Sequence, residues 1–130
     1  MKSIEELREF FKNDIFATEA GCVIEDIGTD FAKCSMKITD KHKNARGAVM
    51  GGAIFTLADF TFAVLANSGE RCAVSLSAST SFLKAAKGDT LTANASFTHN
   101  GKSTCCATVT VCDNLGTSVA LLTVTGIYIS

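Results

Sequence analysis

Proline is missing from all 130 residues. That excludes proline-rich linkers and rigid spacers. No repeat, low-complexity stretch or shift in composition divides the chain, so residues 1–130 are expected to form one domain, long enough to bury a core. Charge is scarce too. Charged residues make up 19%, the formal net charge is -1, and Lys and Arg are scattered rather than clustered. Neither nucleic acid nor an anionic membrane would meet a basic field. No apolar run reaches transmembrane length and no signal-peptide pattern opens the chain, so a cytoplasmic protein without membrane contact is expected. Metal-site spacing is also lacking. None of Cys22, Cys34, Cys72, Cys105, Cys106 and Cys112 forms a C-x-x-C pair, and His42 and His99 stand far from any close cysteine pair. No metal site is expected. The cysteines read as reduced thiols, mostly small apolar fillers on strands.

What the chain does have is apolar mass, 47% of its residues, arranged in two periods. Ser3 followed by Glu6 is a capping-box pattern, with Ile4, Leu7, Phe10 and Phe11 at helical spacing, which predicts a short amphipathic helix over 3–13. Segments 22–27 and 31–39 read as strands around a Gly28-Thr29-Asp30 turn. The run Met50 to Asn67 is apolar almost all round, too long for a strand and rich in Ala and Leu. It predicts a buried helix of roughly 25 Å. Then come strands over 72–83, 90–99, 103–112 and 117–129, with turns at Asn100-Gly101 and Asp113 to Gly116. A four-strand meander is expected after the helix, giving an α+β fold whose antiparallel sheet curves around one central helix. His42 and His99 read as surface residues.

Asp59 lies about two turns inside that helix. It is no cap, and no Lys or Arg stands three or four residues away to pair with it. Burying a lone carboxylate is costly and raises its pKa, which marks a candidate base or nucleophile. The residue alone also fits an Asp hydrogen-bonded to backbone or hydroxyls across a subunit seam. Met50-Gly51-Gly52 opens the same helix. Its amides stand open to a ligand, and the helix dipole favours negative charge there, so the segment could form an oxyanion site. Tight packing on the sheet would explain the glycines equally. Gly51 and Asp59 are about 12 Å apart along the axis, too far to serve one reacting carbon. If both are catalytic, each site takes one from each of two chains, and the protein is at least a homodimer.

The run Asn44 to Asp59, NARGAVMGGAIFTLAD, resembles the signature of the phenylacetic-acid-degradation (PaaI-like) hotdog thioesterases. Phe82-Leu83-Lys84, Gly88 to Ala93 and Phe11 to Asp14 resemble further stretches of that family, so the likeness covers nearly the whole chain. The resemblance implies a hotdog fold and hydrolysis of acyl-CoA thioesters, with coenzyme A entering only as part of the substrate and no cofactor. It implies Asp59 as nucleophile or general base, Gly51 N–H as the oxyanion donor from the neighbouring subunit, and Asn44 as a positioning group. Ser75 matches a polar residue that helps place the water. Lys84, where the family usually has Arg, is the candidate for a CoA phosphate. Met50 and Gly52 would touch substrate. The family commonly forms tetramers from two dimers. One position departs: the family's histidine before Gly-Gly is Met50 here. Thioester cleavage has less need of a general acid, because a thiolate leaves readily, so Met50 bears on substrate positioning and acyl preference.

Two other readings stay open. Met50 fits a non-catalytic acyl-CoA-binding protein, a sensor or degenerate scaffold. A hydratase or dehydratase would need a paired acid and base, and no histidine lies on the helix.

Overall fold

The computed structural model describes residues 1–130. Its elements run α1 (Ile4–Phe11), α2 (Ile15–Ala20), β1 (Cys22–Ile27), β2 (Phe31–Lys37), a 3-10 turn (Asp40–His42), α3 (Gly51–Ala66), β3 (Ala73–Phe82), β4 (Thr90–Asn100), β5 (Thr104–Asp113) and β6 (Ser118–Tyr128). The capping box forms as expected: Glu6 N–H donates to Ser3 Oγ at 3.1 Å, and Ser3 N–H donates to Glu6 Oε1 at 3.2 Å. The second helix is additional to the sequence expectation. It is only six residues long and ends on Gly21, whose φ of 101° is a left-handed conformation that glycine adopts without strain.

All six strands join one antiparallel sheet in the order β1-β2-β4-β5-β6-β3. This corrects the expected meander. β4, β5 and β6 do meander, but β3 crosses over to pair with β6 and forms the far edge. The connection 83–89 is too long and too irregular for a tight hairpin, so nothing local holds β3 against β4. The alternation read from the sequence is otherwise observed. Leu91, Ala93 and Ala95 of β4 and Ala107, Val109 and Val111 of β5 are buried against α3.

The central helix presses Leu57, Phe62, Val64 and Leu65 into the sheet. A Cβ at Gly126 would come 2.8 Å from the Phe62 ring, so the missing side chain on β6 is what lets the helix sit so close. The expectation of a helix buried on every side is corrected here. Gly52, Phe55, Thr56, Asp59 and Ala63 remain wholly or partly uncovered, and their spacing places them on one stripe. Within one chain the helix therefore has a covered side and an open one, and Asp59 stands on the open stripe.

Of the cysteines, Cys22, Cys34 and Cys105 are buried, Cys106 and Cys112 half-buried and Cys72 exposed. Burial pushes the Cys22 and Cys34 thiols up to about 12, which leaves them protonated and inert at neutral pH.

Candidate active site

A break in strand parity builds the first half of the site. Ser75 pairs with Gly126 and Ser77 with Thr125, so β3 bulges at Leu76. Before the bulge Ala73 and Ser75 face the helix. After it Ala78, Thr80 and Phe82 do, opposite the inward Val124, Leu122 and Ala120. The bulge thus aims Ser75 at α3, as bulges beside active sites often do. Ser75 Oγ donates to Asp59 Oδ1 at 3.1 Å. Burial raises the Asp59 pKa, the Ser75 hydrogen bond lowers it in part, and the negative charge of Asp14 raises it again. The net shift is upward, with burial the largest cause.

The second half lies at the start of α3. Met50 is the N-cap and offers no side-chain cap. Its own N–H donates to the His42 carbonyl at 2.8 Å, which fixes where the helix begins. The amides of Gly51 and Gly52 have no acceptor within the chain. They stand at the positive end of a 16-residue helix, suited to a developing oxyanion. Gly51 lies beneath the Phe82 ring, where a Cβ would come 3.0 Å from Cζ. The helix runs unbroken from Gly51 to Ala66, so the separation of about 12 Å from Gly51 to Asp59 holds within one chain.

Asn44 is committed to its own loop. Its Oδ1 accepts from the amides of Arg46 at 2.9 Å and Ala48 at 3.2 Å, leaving its Nδ2 for other partners. Lys84 stands at the rim of a groove of about 300 Å³ beside Val49, Gly51, Ile54 and Phe82. The structure therefore brings Asp59 and Ser75 together at mid-helix. It gathers Met50, Gly51 and Gly52 at the helix start, with Lys84 across a groove from Gly51.

Sequence reasoning missed His42, which is buried rather than at the surface. Thr39 N–H donates to its Nδ1 at 3.0 Å, so Nε2 carries the hydrogen and donates to the Ala20 carbonyl at 2.6 Å. Both ring nitrogens are used, and the side chain latches the end of α2 to the loop before α3. No local pattern in the sequence signals this, since the contact joins residues 22 apart in the chain. His99 is exposed, as expected.

No helix is long and apolar enough to cross a membrane, and no three His, Cys, Asp or Glu side chains gather as a metal site would need. The architecture is that of a hotdog domain. Residues 46–120 match the family described as the thioesterase superfamily. The chain belongs to that superfamily, which makes it a thioester hydrolase by class. It is 35% identical over 104 residues to the acyl-coenzyme A thioesterase PaaI of Escherichia coli (strain K12), a match spanning 79% of this chain and 74% of that one. The solved structure of the E. coli PaaI protein from the phenylacetic acid degradation operon superposes with a TM-score of 0.90 at 30% identity, covering 98% of this chain and 97% of that one. A thioesterase protein of Streptococcus pneumoniae TIGR4, solved with coenzyme A, has a TM-score of 0.84 at 27% identity, covering 92% and 97%.

Proposed function

We propose that this protein hydrolyses acyl-CoA thioesters carrying aryl or medium-chain acyl groups, releasing the free acid and coenzyme A. The observation that carries the reading is the Asp59–Ser75 pair: a carboxyl raised by burial, held by one hydroxyl, on the open stripe of the helix. Gly51 N–H of one subunit binds the thioester carbonyl, and Asp59 of a second subunit stands opposite. Acting as base, Asp59 takes a proton from water while the water oxygen attacks the carbonyl carbon. The oxyanion gathers on Gly51 N–H, then the C–S bond breaks and coenzyme A departs as thiolate. Acting as nucleophile, Asp59 would instead form a mixed anhydride that water opens. Ser75 orients the carboxylate or the water. Asn44 Nδ2 positions substrate, Met50 and Gly52 line its path, and Lys84 meets a CoA phosphate. The reaction needs no cofactor or metal.

The dimer this requires is supported by two features. β3 is an edge strand with unpaired backbone groups. Beside it Phe82 and the helix stripe are uncovered, with Phe55 36% and Phe82 56% exposed. A second copy laid along β3 would cover both, and two such dimers would give the tetramer. The match to a structure holding coenzyme A supports the substrate class.

The test is a panel of acyl-CoAs with released thiol as readout, run on the parent and on Asp59→Ala. Equal rates in both would refute the assignment. A second reading, acyl-CoA binding without turnover, is favoured by Met50 in the family's histidine position. Tight binding of the esters with no thiol released would select it.

A further inference from the structure

Asp14 holds the N-cap position of α2, where an aspartate usually accepts from the first free amides. Its side chain makes no such bond. Only its backbone is engaged: its N–H donates to the Phe11 carbonyl at 3.0 Å, and its carbonyl accepts from Thr18 N–H at 3.0 Å and Thr18 Oγ1 at 2.8 Å. The residue is half-buried, and both ion pairs of the chain, Lys12–Glu9 and Lys43–Asp40, leave it out. Packing fixes where it stands. Phe11, at the end of α1, meets Phe60 edge-on with ring centroids 5.5 Å apart. Further along, Phe16 and Ala20 flank the same groove as Thr56, Ala53 and Met50. The chain from Phe11 to Ala20 therefore runs antiparallel to α3 read from Phe60 back to Met50. Asp14 falls between these contacts, level with Asp59.

We infer that Asp14 is a positioning residue for the hydrolysis: a second carboxylate, held beside Asp59 of its own subunit, that drives the transfer of the water's proton to Asp59. The inference rests on the hydrolase reading above and adds a residue to it. Like charges side by side repel. In the attack step a water O–H bond breaks, the proton passes to Asp59 and the water oxygen bonds the carbonyl carbon. Negative charge leaves Asp59 for the oxyanion at Gly51 N–H, so the repulsion is relieved in the transition state and not before it. Asp14 neither gives nor takes a proton in this step. Its charge adds to burial in raising the proton affinity of Asp59, against the Ser75 hydrogen bond. No cation stands over the pair to cancel this. β3, β6 and the rest of α3 carry no charge. Arg8 of α1 is spent on the Ile24 carbonyl, and Lys12 on Glu9 in solvent. Lys33 and Lys37 of β2 alternate with the buried Cys34 and Met36 and so face away from the helix. On α2, Glu19 lies at the far end, by Lys41.

The experiment measures kcat/KM against pH, on an acyl-CoA that the parent hydrolyses, for the parent, Asp14→Asn and Asp14→Ser. Both substitutions keep a good N-cap and remove the charge, so either serves should the other fail to fold. We expect the acid limb to move to lower pH, opposite to Ser75→Ala, and the alkaline plateau to drop about threefold because the base is weaker. The gap to the parent should narrow in about 1 M salt, where the Debye length is about 3 Å. An NMR titration of isotope-labelled aspartate carboxyls, with the Asp59 signal identified by its loss in Asp59→Asn, should show Asp59 titrating at lower pH in Asp14→Asn than in the parent. A slower enzyme with an unmoved acid limb gives Asp14 a merely structural role and overturns the inference, as does an unmoved Asp59 titration. If no acyl-CoA is hydrolysed, the hydrolase reading fails and the catalytic role falls with it, while the titration still reports whether the two carboxylates interact.

Discussion

Ser75 Oγ donates to Asp59 Oδ1 across 3.1 Å, joining the sheet's edge strand to the middle of the central helix. The bond favours the ionised carboxylate and partly offsets the upward push of burial. Ser75→Ala should therefore raise the Asp59 pKa further. The acid limb of the kcat/KM profile should move to higher pH, with a smaller loss at alkaline pH, where the carboxyl ionises regardless. A pH profile with an unmoved acid limb would mean that Ser75 does not act through Asp59.

Asp59→Asn keeps an oxygen to accept from Ser75 but removes the charge. We expect kcat/KM to fall by roughly 10³-fold while the protein becomes more stable at pH 7. The sign follows from proton binding. A folded-state pKa above the unfolded value makes the folded chain hold the proton more tightly, so stability drops as pH climbs through that window. The gain in Tm over the parent should shrink toward zero as pH falls to the ordinary Asp value of about 3.9. Thermal melts at several pH values check it.

Sites shared between two subunits, as proposed above, make a quantitative demand. Take Asp59→Ala and a Gly51→Val variant, each inactive alone, then unfold, mix in equal amounts and refold. Half the dimers become hybrids, and each hybrid has one site with both Gly51 and Asp59 intact. Recovered activity should be about a quarter of the parent's. A site contained in one chain would recover none.

His42 tests the latch. His42→Ala leaves the Ala20 carbonyl and the Thr39 amide without their partner. The expected loss is about 2 kcal/mol of stability, read from urea unfolding, with faster proteolysis at α2 than elsewhere.

Asp113 holds the β5–β6 turn and the loop before β4. Its carboxylate accepts from the amides of Lys87, Gly88, Leu115 and Thr117 at 2.7–3.0 Å. Burial raises its pKa, but the bonds from Lys87, Thr117 and Gly88 outweigh that and hold it well below the usual carboxylate range. A depressed folded pKa gives stability that is present above about pH 3.9 and lost as pH falls toward the folded value. Asp113→Asn should lower Tm at neutral pH, with the gap closing progressively in acid.

The long helix, the alternating β4 and β5 and the capping box were legible because each is written in local periodicity or spacing. β3 was legible as a strand but not in its place, since pairing with β6 depends on how the crossover packs, not on any local residue. The bulge at Leu76 was hidden for a related reason. An added residue reverses which side chains face inward, and the mixed Ser, Thr and Ala of β3 give no hydrophobic pattern to reveal the switch. Asp59 stood out as a charge in an apolar run. Its partner Ser75 came only through family likeness, because β3 holds four serines at alternate positions and only the bulge decides which one reaches the helix.

The edge strand has a consequence for the life of the newly made chain. AVSLSASTSF carries no charge and no proline, the usual guards against strand addition. A subunit released alone presents a sticky seam to every other unfinished strand around it. Under the pairing proposed above, capture by its own twin would close that seam, and assembly would be the last step of folding.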